Sequence, residues 1–577
     1  MIFTSIQQLE NEQNQLENRH SINIQLIEIF IYNDETDRIL QIINQTQQQL
    51  MKLSLTLSYS RINDEGAINL YSDIEKFLNI KQLYISLRGN RSTFLGLKQI
   101  ISKISSLKCL EFLNIDYYDN LLEEDDSIKI FDDLIRCQNL SSVHLNLDMN
   151  KISTQGALNI LESLGKLQQI MILKLSMNQN LIGQVQNFQE KEDLIKQLSQ
   201  DKLHFKNLKY LKLSLKQNNL ENKLLQVILN FFLGSKNLQS FSLSAQNNNF
   251  CQVSLRSLLS FFNKFNILEE LSLGLSQVQL KVHDLVDQLE RDDLKKITFG
   301  DNLQTVKLRF IESDVDNYQD LTKVLSFSQN ISFLKIVYQN SQIDDTQFDN
   351  ILKNIHLLLN LKHLEVALKF NDIRTYRNQF RYLKQCKNLE SLNLDFHLNK
   401  ELDSSIIINL IKVLQECPSF NALKLNLLCC ENLGEDEEVS FMLNELSRIR
   451  QLKKLNFQAK FCNMRLKTNL ELVKQISNCA FLEFLNLEID GEYGVLDLFL
   501  NQLSQDLSNL SQLRVLQMSI LASNISYDSI KNLCLNLKSK KFLNTVQFYF
   551  FKFDNNKQLQ LERILKKKNN MIIVQIC

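Results

Sequence analysis

Metal capture, nucleophilic catalysis and phosphate cradling each require particular residue types at short, fixed spacings. The chain has the residue types but not the spacings. Its seven histidines (His20, His144, His204, His283, His356, His363 and His397) are dispersed. None stands in H-E-x-x-H, the arrangement that puts two imidazoles on one helical face for zinc. No two of the twelve glycines form G-x-G, and no G-x-x-x-x-G-K-[ST] occurs. A dinucleotide fingerprint, a kinase glycine loop and a P-loop therefore cannot be drawn. Eleven cysteines form no C-x-x-C pair. Four of them (Cys137, Cys386, Cys417 and Cys479) stand three residues before the first apolar residue of an expected strand. That recurrence points to a small buried residue at the end of a helix, in a reducing compartment, and not to a disulfide frame or a zinc ligand set. The carboxylate clusters Glu123–Asp126 and Glu435–Glu438 fall in polar connections, where acidic residues favour helix N-termini through the helix dipole. The expectation is a chain without catalytic, cofactor-binding or metal-binding residues, requiring no cofactor.

The elements behind these residues are clearest at Asn139-Leu140-Ser-Ser-Val143-His144-Leu145-Asn146-Leu147-Asp148-Met149-Asn150. Apolar side chains alternate there with the period of a half-buried strand. Asn150 ends the alternation, and a helical apolar period runs on to about Leu164. This strand–turn–helix unit recurs. Its first apolar anchor falls at Leu50, Ile80, Leu110, Leu140, Ile170, Leu208, Leu238, Leu268, Leu303, Ile331, Leu361, Leu389, Phe420, Leu452, Leu482, Leu513, Leu543 and Met571, at intervals of 28 to 38 residues that cluster at 30. At 577 residues the chain is too long for one ordinary core, and a single proline with twelve glycines leaves little material for linkers. A repeat array over 50–577, about 18 units, accounts for both facts. Residues 1–49, rich in Gln and Asn with a first irregular strand within Ile22–Ile31, read as an N-terminal cap closing the stack.

The unit resembles a leucine-rich repeat of the ribonuclease-inhibitor type. The matching residues are the L-x-x-L-x-L strand (Leu208, Leu211, Leu213), the Asn that ends it (Asn90, Asn150, Asn218, Asn371, Asn399) and the Gly-Ala that opens the helix (Gly66-Ala67, Gly156-Ala157). The resemblance implies an α/β leucine-rich-repeat solenoid, a horseshoe with a parallel sheet on the concave side and helices on the convex side. Three departures stand out, one being that the Gly-Ala signal is lost in most later repeats. The alternation continues one dipeptide further, to Leu57, Leu147, Leu215 and Leu427, so the strands are expected to be longer. The two long intervals carry insertions around Gln179–Asn207 and Gln277–Asn302.

Strands stack about 4.8 Å apart whereas helices need about 10 Å, so such an array bends with its sheet inside. The Asn that ends each strand is expected to turn its amide into the chain and satisfy backbone groups. Positions four, six and eight residues after each anchor face away from the core and are free to carry specificity. Early repeats place Tyr84, Arg88, Asp116, Tyr118, His144 and Asp148 there. Middle repeats place Lys174, Lys212 and Lys216, then Ser and Gly, then Lys307, Arg309, Lys335 and Lys369. The binding candidates are Lys174, Lys212, Lys216, Lys307, Arg309, Lys335, Tyr118, His144 and Asp148. The lysines read either as a dock for an acidic protein segment or as a solvated strand face that resists edge pairing. A nucleic-acid backbone is the weaker alternative, because few aromatic rings interleave the lysines. With zero net charge, no leader-like N-terminus and no apolar run long enough for a bilayer, the expected setting is the cytoplasm, the nucleus being open, with no membrane partner. The expected function is a non-catalytic protein-interaction scaffold or adaptor. An inhibitor or regulatory subunit of an enzyme, or a subunit of a ribonucleoprotein, stands as the alternative. Phe548–Phe553, apolar on both faces, reads as a last repeat covered by the C-terminal strand Met571–Ile576.

Overall fold

The computed structural model describes residues 2–3, 5–11, 20–28, 31, 33–44, 49–123, 129–184, 205–250, 252–254, 261–262, 264–281, 302–315, 321–322, 325–326, 328–374, 379–403, 405–434, 446–462, 466–490, 496–521, 526–550, 555–566 and 573–576. Most of both insertions, most of the acidic clusters and Phe551–Phe553 lie outside them. The chain forms two compact units, 1–279 and 280–577.

In the first unit the alternating segments form β1 (Ile2–Phe3), β2 (Ser21–Gln25), β3 (Lys52–Thr56), β4 (Gln82–Ser86), β5 (Phe112–Asp116), β6 (Ser142–Asn146), β7 (Ile172–Ser176), β8 (Tyr210–Ser214), β9 (Ser240–Ser244) and β10 (Glu270–Ser276). Each is parallel to the next, so the strands lie side by side in chain order. The segment expected as a cap thus contributes β1 and β2 to the sheet. Register is uniform: Leu53, Leu83, Leu113, Val143, Leu173, Leu211, Phe241 and Leu271 form one column. Their side chains are at most 2% exposed. A one-residue slip would turn every such column to solvent, so the buried alternation sets the register. Helices Asn33–Asn44, Asp64–Leu70 and Phe94–Ile104 pack side by side in successive repeats. The Gly-Ala signal opens helices as expected: Asn63 caps one by accepting from Gly66 N, and Ser153 caps Thr154–Gly165 by accepting from Gly156 N.

The second unit repeats the pattern with β11 (Thr305–Ile311), β12 (Phe333–Gln339), β13 (His363–Lys369), β14 (Ser391–Asp395), β15 (Ala422–Asn426), β16 (Lys454–Ala459), β17 (Phe484–Asp490), β18 (Val515–Leu521), β19 (Thr545–Phe550) and β20 (Ile573–Ile576). All pair in parallel, each with the next. β20 covers β19, the arrangement expected of the C-terminal end, and Phe548 is fully buried. Where Gly-Ala is lost, Asp344 and Gln347 form a capping box, and several helices shorten to 3-10 turns such as Gln379–Gln385. Both units are therefore α/β solenoids built on parallel sheets. Among the described residues, no helix is long and apolar enough to cross a membrane.

A polar ladder ties the strand ends together. Asn150 Oδ1 accepts from Asn120 N (3.1 Å) and Leu122 N (3.2 Å), while Nδ2 donates to Tyr117 O (3.0 Å), Leu147 O (3.1 Å) and Asp148 O (3.1 Å). Asn90, Asn120, Asn180, Asn218, Asn248, Asn371 and Asn399 occupy the same position and bridge neighbouring repeats in the same way. Cys430 and Cys462 replace the amide in two repeats, their thiols donating to Phe396 O (3.2 Å) and Leu427 O (2.7 Å). The residue just before the ladder takes a positive φ: Tyr59 (56°), Gly89 (64°), Asp119 (53°), Met149 (55°), Gln217 (54°) and Phe370 (55°). A side chain in this region costs about 1–2 kcal/mol. An inter-repeat hydrogen bond holds it there, as in Tyr59 N to Arg88 O (2.7 Å) and Met149 N to Asn178 O (2.9 Å). The longer strands expected from the extended alternation do not form here: these strands end at Thr56, Asn146, Ser214 and Asn426, and Leu57, Leu147, Leu215 and Leu427, each fully buried, are joined to the next repeat by single backbone hydrogen bonds beyond the strand ends.

The thiols of Cys137, Cys386, Cys417 and Cys479 are buried at helix ends, and Cys137 and Cys417 donate to carbonyls of the preceding repeat (Ile104, 3.5 Å; Leu383, 3.4 Å). Burial pushes these four up to about 12, 12, 11 and 12, so they are packing groups and not nucleophiles at neutral pH.

Candidate functional site

Uniform register aligns the outward positions into rows. In the first unit Asn114, His144, Lys174, Lys212 and Ser242 lie side by side, and Asp116, Asn146, Ser176, Ser214 and Ser244 form the parallel row. Small side chains in the second row leave a concavity of about 460 Å³ on this face. His144, Asp148, Lys174, Lys212 and Lys216, predicted from the sequence, all line it, together with Asp116 and Asn146. Tyr118 does not; its ring lies under the Arg88 guanidinium (3.9 Å) and its hydroxyl donates to Met149 Sδ.

The acids and the lysines of this concavity differ in how far the fold already uses them. Asp148 accepts Asn178 N on Oδ1 (2.7 Å) and Asn178 Nδ2 on Oδ2 (2.8 Å). Asp116 Oδ1 accepts Tyr118 N (3.2 Å) and Asn146 Nδ2 (3.0 Å). Burial, with the nearby Asp148 charge adding to it, raises the Asp116 carboxyl above the usual carboxylate range, although those hydrogen bonds and Arg88 pull the other way. Asn178 is the hub. Besides holding Asp148, it donates to Ser176 Oγ (2.9 Å) and accepts from Ser214 Oγ (2.8 Å) and Lys216 N (2.7 Å). Sequence reasoning overlooked Asn178, although its place eight residues after Ile170 marks it as outward-facing.

The lysines are left over. Lys174 and Lys212 are directly opposite each other in register, both exposed, and Lys216 is exposed four residues further along. Among the described residues none of the three ammonium groups has a hydrogen-bond or ion-pair partner. Like charges directly opposed on neighbouring strands weaken a sheet by up to about 1 kcal/mol. His144 stands next in the row, edge-on to Phe112 (4.8 Å), and is pushed down to about 4 by burial and then by Lys174. It is therefore neutral at pH 7. Beyond it Phe112 meets Tyr84 (4.9 Å), and Lys52 lies over Tyr84 (4.8 Å).

In the second unit the predicted cations have partners, and two of them are ion-paired. Lys335 pairs with Glu365 (2.7 Å) across one register step, and Lys369 pairs with Asp395 (2.9 Å). Arg309 reaches Gln339 Oε1 (3.5 Å), and Lys307 lies over the Phe333 ring (5.7 Å). Glu488 shows the same compensation: burial alone would raise it, but hydrogen bonds and charge from Lys460 leave it below its ordinary range. Lys174, Lys212 and Lys216 thus differ in kind from Lys335 and Lys369. No model of a known protein family matches the chain, and no curated protein matches its sequence.

Proposed function

We propose that the chain is a non-catalytic interaction scaffold of the leucine-rich-repeat kind that captures an acidic segment of a partner protein on the strand face of its first unit. One observation carries this reading: three exposed lysines line one concavity without a partner among the described residues, although the fold gains nothing from their mutual repulsion. The acids beside them, Asp116 and Asp148, accept hydrogen bonds only from Asn178, Asn146 and backbone amides and keep their charge, so three ammonium groups against two carboxylates leave the concavity net positive by one. Electrostatic complementarity of this kind selects a partner and speeds its association. Neutral His144 and the nearby rings of Phe112 and Tyr84 supply apolar area next to the charge. A regulatory role on an enzyme is one form this scaffold reading can take.

Lysine acetylation footprinting tests it. In a complex with a copurified partner, Lys174, Lys212 and Lys216 should lose reactivity relative to the free chain, while exposed Lys236 should not. Equal reactivity of all four in both states refutes the assignment of the face.

A further inference from the structure

We infer that the concavity is a trough for a partner segment that carries charge of both signs in a fixed order. A basic side chain of the segment lies toward Asp116 and Asp148, and two acidic side chains lie toward Lys174, Lys212 and Lys216. The inference rests on the strand-face reading above and adds the charge order that the face selects.

The register lays the trough across the strands. Its floor is the row Asn146, Ser176, Ser214 and Ser244, and Asp116 closes the floor at β5. One wall is the row two residues earlier, with His144, Lys174 and Lys212. The other is the row two residues later, from Asp148 to Lys216. Charge therefore changes sign along the trough. Both carboxylates belong to the repeats of β5 and β6, and all three ammonium groups belong to those of β7 and β8.

The fold does not neutralise this separation. Among the described residues no acid of the trough pairs with one of its lysines: Asp148 is held by Asn178, and Asp116 by Asn146 and Tyr118 N. Arg88 lies over the Tyr118 ring, outside the trough, and its charge acts on Asp116, so Asp148 is the acid left without a cation. The Asn178 hub fixes Asp148 and the Lys216 backbone in place, so the two ends are set before a ligand arrives.

The length suits a short extended segment. From Asp116 to Ser214 is three strand steps, about 14 Å at about 4.8 Å each, which an extended chain covers in about four residues. The floor offers polar groups to the backbone of that segment. The Ser176 hydroxyl accepts Asn178 Nδ2 and keeps its proton to give, whereas Ser214 gives its proton to Asn178 Oδ1 and keeps lone pairs to accept. The acids act against two simpler ligands. A uniformly acidic run filling the trough would set a carboxylate against Asp148, and a nucleic-acid strand would set a phosphodiester there. A segment with its base at the β5–β6 end and its acids at the β7–β8 end meets opposite charge at both.

The test uses the full chain and three immobilised peptide libraries with uncharged degenerate positions x. The segregated library carries Lys-x-x-Glu-Glu, the interspersed library Glu-x-Lys-x-Glu and the acidic library Gln-x-x-Glu-Glu, the first and third made in both chain directions. A short single-stranded oligonucleotide is the fourth probe. The segregated library should be retained about threefold above each of the others, the scale of one exposed ion pair. Asp148→Asn should remove that preference and keep the acidic library, and Asp116→Asn, which spares the Asn178 contacts, should weaken it. Lys212→Gln with Lys216→Gln should reduce retention of both libraries, Lys236→Gln should change nothing, and thermal unfolding should show each variant folded. Equal retention of the segregated and acidic libraries overturns the two-signed assignment but leaves the acidic-segment reading standing. A preference that survives both Asp→Asn variants overturns the placing of the base. Preference for the oligonucleotide overturns both readings. No retention of any probe overturns the trough, and the footprint with a copurified partner then decides the broader reading separately.

Discussion

Replacing Asn150 by Ala removes a rung of the ladder that ties its own repeat to the preceding one. Two backbone donors, Asn120 N and Leu122 N, lose their acceptor, and three carbonyls lose a donor, at a position only 6% exposed. A buried donor left unsatisfied costs about 1–3 kcal/mol, and carbonyls tolerate it better, so the expected loss is about 2–5 kcal/mol. In a solenoid each unit contacts its neighbours, so the loss is local. The assay is hydrogen exchange by mass spectrometry, supported by urea unfolding. Exchange should accelerate in peptides spanning residues 112–150 and stay unchanged around Asn371 in the second unit. Asn150→Cys should lose less, because Cys430 and Cys462 occupy this position naturally. There the displaced amides bond within their own turn, as Asn399 N does to Phe396 O (3.1 Å). A loss below about 0.5 kcal/mol for Asn150→Ala, with unchanged exchange, would refute the claim that the ladder holds neighbouring repeats together.

Three further outcomes follow from the same geometry. Because the folded-state pKa of His144 is depressed to about 4, the unfolded chain binds the extra proton as pH falls from about 6.5 to 4. His144 should therefore remove about 1–2 kcal/mol of stability across that window, less than the full shift implies because the half-buried ring is screened by solvent, and nothing above it, and His144→Gln should flatten the difference in urea midpoints between pH 7 and pH 4. Gly89→Ala should cost about 1–3 kcal/mol by thermal or urea unfolding, since φ is +64° and the new Cβ would stand 2.2 Å from Tyr59 Cδ1; adding Tyr59→Ala should recover the steric part only. Lys212→Gln, which separates an opposed like-charge pair, should stabilise the chain by up to about 1 kcal/mol while weakening anion binding.

The repeat was legible because its two signals are local: alternation fixes which face of each strand is buried, and the anchor spacing fixes register. Every anchor from Leu50 to Leu543 is buried to within 1% exposure. The Asn role was legible in the same way, although Asn120, Asn180 and Asn248 were passed over and Cys430 and Cys462 do not resemble an amide in sequence. The positive φ before each rung was illegible, because Tyr, Met, Gln and Phe fill a conformation that normally calls for glycine, and only inter-repeat hydrogen bonds hold them there. The outward positions of the candidate site were countable from the anchors. Their state of pairing was not. Lys335 and Lys212 look alike in sequence, and only the register shows Glu365 beside the first and Lys174 beside the second.

The central claim, that the first unit's strand face holds the partner, is tested most directly by charge reversal. Tagged chain carrying Lys174→Glu, Lys212→Glu and Lys216→Glu would be compared with wild type and with Lys236→Glu by quantitative mass spectrometry of captured proteins from the native cell. The account predicts that the triple variant loses at least one partner that both other proteins retain, with all three equally folded. Identical partner sets for the triple variant and wild type would contradict it.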